Sequence, residues 1–357
     1  MTSELTSLSQ HPFLTSVTAG LPGQVRASAD GTLLTVSRAG APDSRFSWTG
    51  GVLRPLDGIP DAADVLAVAE AVYATQPGLP VLRGEGPLGR ALSEAGVVVA
   101  SADGQGWEIP ADLLWQQAGP WLSPRGQAAG CYPLLHTMTN GKRHPLRRPK
   151  IDGVLYERFI PWLNETISFR LIDVEQDAER LNRWMNDPRV AVIWEETGDL
   201  DVHRAYIETK LADPHMVPVI GCFDGQPFGY FEVYWAKENR IAPYYDAEDF
   251  DRGWHVLVGE DAYRGKARVS AWLPSLMHFM FLDDPRTQRI VGEPAASHSQ
   301  QIRNLERSGF AKVKQFSFPH KRAMLVMLLR ERFFGERLWA PQDDSLRAAA
   351  VTSVAAE

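Results

Sequence analysis

The segment from Asp251 to Gly309 constrains the fold of this chain more than any other. Gly253-Trp254-His255-Val256-Leu257-Val258-Gly259 is apolar apart from one histidine in its middle, and reads as a buried strand. Shortly after it, the basic turn Tyr263-Arg264-Gly265-Lys266-Ala267-Arg268 opens an apolar stretch of helical length, Val269 to Leu282. Asp283-Asp284-Pro285-Arg286 breaks that stretch, and Arg289-Ile290-Val291-Gly292-Glu293-Pro294 reads as a second strand ending at a proline. A strand feeding a turn whose main-chain N–H groups start a helix is a physical recipe for holding a pyrophosphate. Pro274 lies inside the helix and is expected to kink it, because its ring removes one backbone hydrogen bond.

A chain of 357 residues exceeds what one core usually holds, so two domains are expected. No apolar run is long enough to span a bilayer, which argues against a membrane protein. The net charge of −7 argues against nucleic acid as a partner. Met1-Thr2-Ser3-Glu4 shows no secretory leader. Cys131 and Cys222 are too few and too far apart for a disulfide framework or a zinc site, so they are expected as buried thiols in a reducing cytoplasm. No metal is expected, and a homodimer is compatible with the sequence.

Residues 1–140 read as a small α+β domain with a structural or interface role. Asp30-Gly31 and Gly50-Gly51 are hairpin turns between short apolar strands. Asp61 to Thr75 has helical spacing after Pro60, and strands at Pro80–Arg83 and Val97–Ala100 flank a short helix at Leu88–Ala95. The basic, proline-punctuated run Lys142 to Lys150 marks 141–165 as a linker and leading segment. From 166 to 335 the pattern is strand, two helices, three strands, helix, strand, helix, strand, and 336–357 is a tail. Within it, Ile167 to Ile172 alternates as a strand and Asn186-Asp187-Pro188 ends the first helix. A second helix covers about Leu200 to Ala212, and Asp224-Gly225 turns a hairpin whose second strand, Phe228 to Trp235, is unusually aromatic.

That order, with Gly265-Lys266-Ala267 after the fourth strand, resembles the GNAT family of acyl-CoA-dependent acyltransferases. Trp184-Met185-Asn186-Asp187-Pro188-Arg189-Val190, Trp194-Glu195-Glu196, Gly253-Trp254-His255 and Leu282-Asp283-Asp284-Pro285-Arg286-Thr287 resemble one branch of it. These are the hydroxamate-siderophore acyltransferases, which acylate N-hydroxylated diamines, and the resemblance runs from about Gly141 to Trp339. It implies an α+β GNAT domain preceded by the smaller α+β domain, and a soluble cytoplasmic enzyme. It also implies acetyl-CoA or another acyl-CoA as co-substrate and an N-hydroxylated amine such as N5-hydroxyornithine or N6-hydroxylysine as acceptor.

The residues follow from that resemblance. His255 is the expected general base, since a histidine beside the acyl-CoA turn can take a proton from an attacking nitrogen. Val256, Leu257, Val258, Arg264, Gly265, Lys266, Ala267 and Arg268 are expected along the coenzyme, and Arg189, Trp194, Glu195, Glu196 and Trp254 along the acceptor. The branch carries an aspartate two residues after its Glu-Pro pair, where this chain has Ala295; either Glu293, Ser297 or His298 substitutes for it or His255 acts without a carboxylate partner. The tyrosine that many GNAT enzymes place four residues before Gly309 is Leu305 here. His278 is expected to pack against the sheet and His320 to lie in a loop. An acetyltransferase of ordinary amines such as aminoglycosides, and a non-catalytic acyl-CoA-binding scaffold, are the competing readings.

Overall fold

The structure is a computed structural model that describes residues 5, 7–10, 12–15, 23–88, 90–94, 96–101, 104, 106–123 and 132–341. Two compact units divide the chain: Met1–Pro124 with Glu157–Thr166 and Ala340–Glu357, and Arg125–Tyr156 with Ile167–Trp339.

The first sheet has eight strands in the spatial order Phe13–Leu14, Gly23–Ala27, Leu33–Arg38, Ser44–Thr49, Val52–Pro55, Val81–Gly84, Trp107–Pro110, Val99–Ala100. Both expected hairpins are present, turned at Gly31 and at Gly50-Gly51 with positive φ, a conformation glycine adopts without penalty. Val52–Pro55 and Val81–Gly84 run parallel and are joined by the helix Ala62–Thr75. Asp61 caps that helix, accepting from Ala63 N–H at 2.8 Å.

The second eight-stranded sheet is ordered Val154–Ile160, Glu165–Leu171, Met216–Phe223, Gln226–Trp235, Arg252–Val258, Arg289–Gly292, Arg322–Leu329, Ala311–Ser317. Taken in chain order, both sheets place the first six strands in sequence and then the eighth before the seventh. In both, the fifth and sixth strands are parallel and a helix joins them, here Lys266–Asp283. The second sheet differs by three helices between its second and third strands, Val174–Met185, Pro188–Trp194 and Leu200–Ala212.

Several expectations are corrected. Residues 141–165 are not a plain linker: Lys142–Pro145 pairs with His136–Thr139 as a hairpin and Val154–Ile160 is a strand. Asn186-Asp187-Pro188 ends one helix and starts the next, because the Asp187 carboxylate accepts from Arg189 N–H at 2.8 Å and Pro188 occupies the first helical position. Two strands, Ala311–Ser317 and Arg322–Leu329, follow the last long helix instead of one. The expected strand at Val97–Ala100 is confined to Val99–Ala100; of the expected helix at Leu88–Ala95, Arg90–Glu94 is helical and residues 89 and 95 lie outside the described residues. The helix Lys266–Asp283 is continuous through Pro274. Of the tail, Leu338 and Trp339 are buried, while residues 342–357 lie outside the described residues, as do Cys131 and Met1 to Glu4. Cys222 is a buried free thiol. No helix among the described residues is long and apolar enough to cross a membrane.

Two apolar clusters on the second sheet share one face of the aromatic strand. In one, Tyr230 and Leu257 pack with Leu181, Trp184, Met185 and Ile207 of the inserted helices. In the other, Tyr234 packs with Met216, Val291, Phe318 and Leu325. Alternation along the strand puts residue 232 on that same face, between the two clusters, and there the sequence has a glutamate.

Candidate active site

Glu232 and His255 are direct cross-strand partners, so their side chains leave the sheet on one face, side by side. The His255 Nδ1 lies 2.9 Å from Glu232 Oε2, and its Nε2 lies 3.2 Å from Glu293 Oε1. Both carboxylates are 3% exposed, whereas the imidazole is 26% exposed. The ring is therefore wedged between two buried anions and reaches the surface between them.

Each carboxylate has further donors. Glu232 Oε1 accepts from the Tyr206 hydroxyl, from the Tyr230 hydroxyl at 3.2 Å and from Lys210 Nζ at 3.0 Å. Glu293 accepts from the Tyr234 hydroxyl at 3.0 Å and from Arg240 at 3.3 Å, and Lys321 Nζ bonds its main-chain oxygen at 2.9 Å. Charges thus alternate through the site: Lys210, Glu232, His255, Glu293, Arg240.

The electrostatics follow from that alternation. Burial pushes the His255 ionisation down, but hydrogen bonds to Glu232 and Glu293 and their charges outweigh it and raise the pKa to about 9. Burial pushes both glutamates up, and the His255 hydrogen bond and charge outweigh it, holding each at about 2. Tyr230 and Tyr234 are pushed well above the ordinary phenol range by burial and by the adjacent carboxylates, so they act as donors.

The strand carrying His255 also opens the sheet. Its parallel neighbour pairs only at Arg252↔Ile290 and Gly253↔Val291, so the edge from Trp254 onward faces no strand. Gly259 N–H donates to Phe228 carbonyl at 2.9 Å, which fixes the alternation on the other edge: the main-chain groups of Val256 and Val258 turn toward the open side. The Val258 carbonyl there accepts from Arg189 at 3.1 Å.

The turn beyond has the geometry a phosphate needs. Gly265 sits at φ +97°, and a Cβ there would meet nothing within 4 Å. The helix it starts has no acid in its first turn and no side-chain cap at Gly265, so no first-turn carboxylate offsets the positive end of its dipole. Arg268 stacks over Phe223 and Tyr263 at 4.7 and 4.8 Å, and Arg264 pairs with Asp261 at 3.3 Å. The topologically equivalent helix of the first sheet starts with Asp61 and Asp64, so an anion there would meet two carboxylates.

The expected acceptor residues divide. Trp194 is brought to the site, its ring 6.4 Å from His255. Glu195, left-handed at φ 55°, and Glu196 are exposed beside it. Arg189 lies at the far end of the histidine strand, where it donates to the Val258 carbonyl. Trp254 points to the face opposite His255, packing on Phe310 at 5.3 Å, because neighbours along a strand alternate. Ser297 and His298 are exposed, and His298 contacts Gln301, so Glu293 alone of the three substitutes reaches the ring. Leu305 is buried. His278 is buried against the sheet, 2.9 Å from the Tyr156 hydroxyl, and His320 stacks on Phe318.

Glu232, Lys210, Tyr206, Tyr234 and Arg240 were not legible as site residues. Glu232 left one signal, a lone acid in an aromatic strand, since a carboxylate that alternation buries must find a cation. Elsewhere, His144, His215 and Glu238 bring potential metal-ligand atoms within 4.8 Å of one another. Arg147 already grips both oxygens of Glu238 at 2.6 and 2.8 Å, which places a cation where a metal would need the carboxylate.

A family profile described as an acetyltransferase (GNAT) domain matches residues 173–318. A Schizosaccharomyces pombe protein described as a candidate lysine N-acyltransferase is 46% identical over 222 residues, covering 62% of this chain and 65% of that one. An Escherichia coli protein named N(6)-hydroxylysine O-acetyltransferase is 42% identical over 230 residues, 64% of this chain and 70% of its own. A Beauveria bassiana protein named N(5)-hydroxyornithine:cis-anhydromevalonyl coenzyme A-N(5)-transacylase is 47% identical over 196 residues, 54% of this chain and 43% of its own. The chain thus spans under two thirds of the first and third of these relatives.

Proposed function

Because the chain belongs to the GNAT-fold family of hydroxamate-siderophore acyltransferases, we propose that it transfers an acyl group from acyl-CoA to the hydroxylated nitrogen of N5-hydroxyornithine or N6-hydroxylysine. One observation carries the proposal: His255 reaches the surface between two buried carboxylates, on the strand that feeds the Gly265 turn and beside the open edge of the sheet. Gly265, Lys266 and the first N–H groups of the helix would hold the pyrophosphate, with Arg264 and Arg268 close by, and the coenzyme supplies the thioester.

The chain's own groups then divide the work. An N-hydroxylated amine is far less basic than an alkylamine and is neutral near pH 7, so its lone pair is available for attack. His255 Nε2 takes the proton that the nitrogen sheds as the C–N bond forms, and Glu293 stabilises the resulting imidazolium. The main-chain N–H of Val256, turned to the open edge, donates to the developing oxyanion. The C–S bond breaks to release a thiolate. Leu305 supplies no acid, so the coenzyme leaves as the thiolate and takes up its proton from water. No cysteine or serine contacts His255 among the described residues, in keeping with direct transfer.

Thiol release from acetyl-CoA with N5-hydroxyornithine, N6-hydroxylysine and their unhydroxylated parents tests the reading, with ferric-complex colour reporting the hydroxamate. Turnover with coloured product confined to the hydroxylated pair is expected. Equal turnover with the parent amines would transfer the protein to the general-amine class, and thiol release without colour would place the acyl group on oxygen. The pH profile is a second check. A base must be deprotonated to work, and His255 ionises at about 9, so kcat/KM is expected to climb with pH and level off near 9. A plateau reached below pH 7 would remove His255 as the base.

A further inference from the structure

Glu232 has no place in the reaction as described so far, yet it is the most heavily bonded carboxylate of the site. Its two oxygens receive His255 Nδ1, Lys210 Nζ and the hydroxyls of Tyr206 and Tyr230. Those partners come from three elements: the neighbouring strand, the helix Leu200–Ala212 and its own strand. The carboxylate cannot rotate without breaking several of these bonds at once, so it is a fixed point against which the ring is set.

We propose that Glu232 is the positioning residue of the acyl transfer: by accepting the Nδ1–H of His255 it fixes the ring so that Nε2 meets the incoming nitrogen. The inference rests on the acyltransferase reading for its role, but its physical content concerns the ring alone. A neutral histidine keeps its proton on the nitrogen with the stronger acceptor. Both nitrogens face a carboxylate, but Glu232 is closer, at 2.9 Å against 3.2 Å, and is locked by three other donors. Glu293 is tied to the partly exposed Arg240 and lies on the side where Nε2 must work. The remaining charged or titratable groups around the ring are Tyr234 and Lys321, both bonded to Glu293. The proton of the neutral ring therefore stays on Nδ1, and Nε2 carries the lone pair.

The test is an NMR titration of the His255 ring in the full chain without substrate, using 15N-labelled histidine and His255→Gln to assign the signal. The wild-type ring is expected to lose its proton from Nε2 and remain Nδ1–H. Glu232→Gln is expected to lower the titration midpoint by about one unit or more. On the high-pH plateau, where the base is deprotonated in both proteins, it should also cut kcat on the order of 100-fold with the KM for acyl-CoA unchanged. Glu232→Asp, which retains the charge and serves where the amide variant fails to fold, is expected to restore part of the midpoint and part of kcat. An unchanged midpoint and tautomer in both variants would overturn the inference. A wild-type protein with the expected tautomer but no turnover on any hydroxylated amine would overturn the acyltransferase reading and leave the Glu232 bond standing.

Discussion

Replacing His255 with alanine is expected to lower kcat about 100- to 10,000-fold, the range a positioned general base contributes. The side chain does more than accept a proton. It is the cation between Glu232 and Glu293, so removing it leaves two buried carboxylates facing each other across the gap. Lost activity in the alanine variant could then reflect lost structure. His255→Gln separates the two, since an amide fills the site and can still donate to a carboxylate. It should melt above the alanine variant, approach the wild type only at high pH, and be as inactive as the alanine variant. Turnover in His255→Gln within a few-fold of wild type would remove the histidine from the chemistry.

The same pair of proteins carries a signature in stability. The folded chain raises the His255 pKa from 6.5 to about 9, so it binds that proton more tightly than the unfolded chain does. The contribution is fully present below pH 6.5 and is lost as pH rises through about 9. Thermal melts of wild type and His255→Gln across that window should converge as pH rises. A constant gap would mean that the two carboxylates do not hold the imidazolium.

Gly253→Ala is expected to destabilise the protein by about 1–3 kcal/mol and to reduce activity with it. A Cβ at this position would lie 2.3 to 2.5 Å from Cε2, Cζ and the hydroxyl oxygen of Tyr234. Tyr234 cannot simply yield, because it is buried among Met216, Val291, Phe318 and Leu325. Its hydroxyl is also the 3.0 Å donor to Glu293, so displacing the ring strips a bond from the carboxylate beside His255 Nε2. Tyr234→Phe separates packing from chemistry: it keeps the ring, and it should show the smaller loss of stability but still a lower kcat. Denaturant unfolding together with kcat measures both. Wild-type stability in Gly253→Ala would show that the strand has room the structure does not give it.

Much of this was legible because it depends on near neighbours along the chain. Apolar continuity from Gly253 to Gly259, a glycine before a basic helix start and the Asp30-Gly31 and Gly50-Gly51 turns are local properties, and each appears where expected. Misreadings fell where local signals have two uses. Asn186-Asp187-Pro188 is equally good at stopping a helix and at capping the next, and it does both. Proline-rich, basic 141–165 looked like a linker because side-chain composition does not reveal that His136–Thr139 is available to pair with Lys142–Pro145. Where Trp254 and Arg189 point was likewise not legible: strand alternation turns Trp254 to the face opposite His255, and the long Arg189 side chain reaches the Val258 carbonyl.

The sequence by itself determined the strand–turn–helix around Gly265, the histidine in that strand and the likeness to the acyltransferase branch. It also determined the acid at Glu293, one residue before Pro294. Only the tertiary structure decided what His255 is joined to. Glu232 is 23 positions away in the chain and Glu293 is 38, and a contact at such range depends on strand register and sheet order. A slip of one residue in the aromatic strand would turn Glu232 to the opposite face and leave His255 facing Glu293 alone.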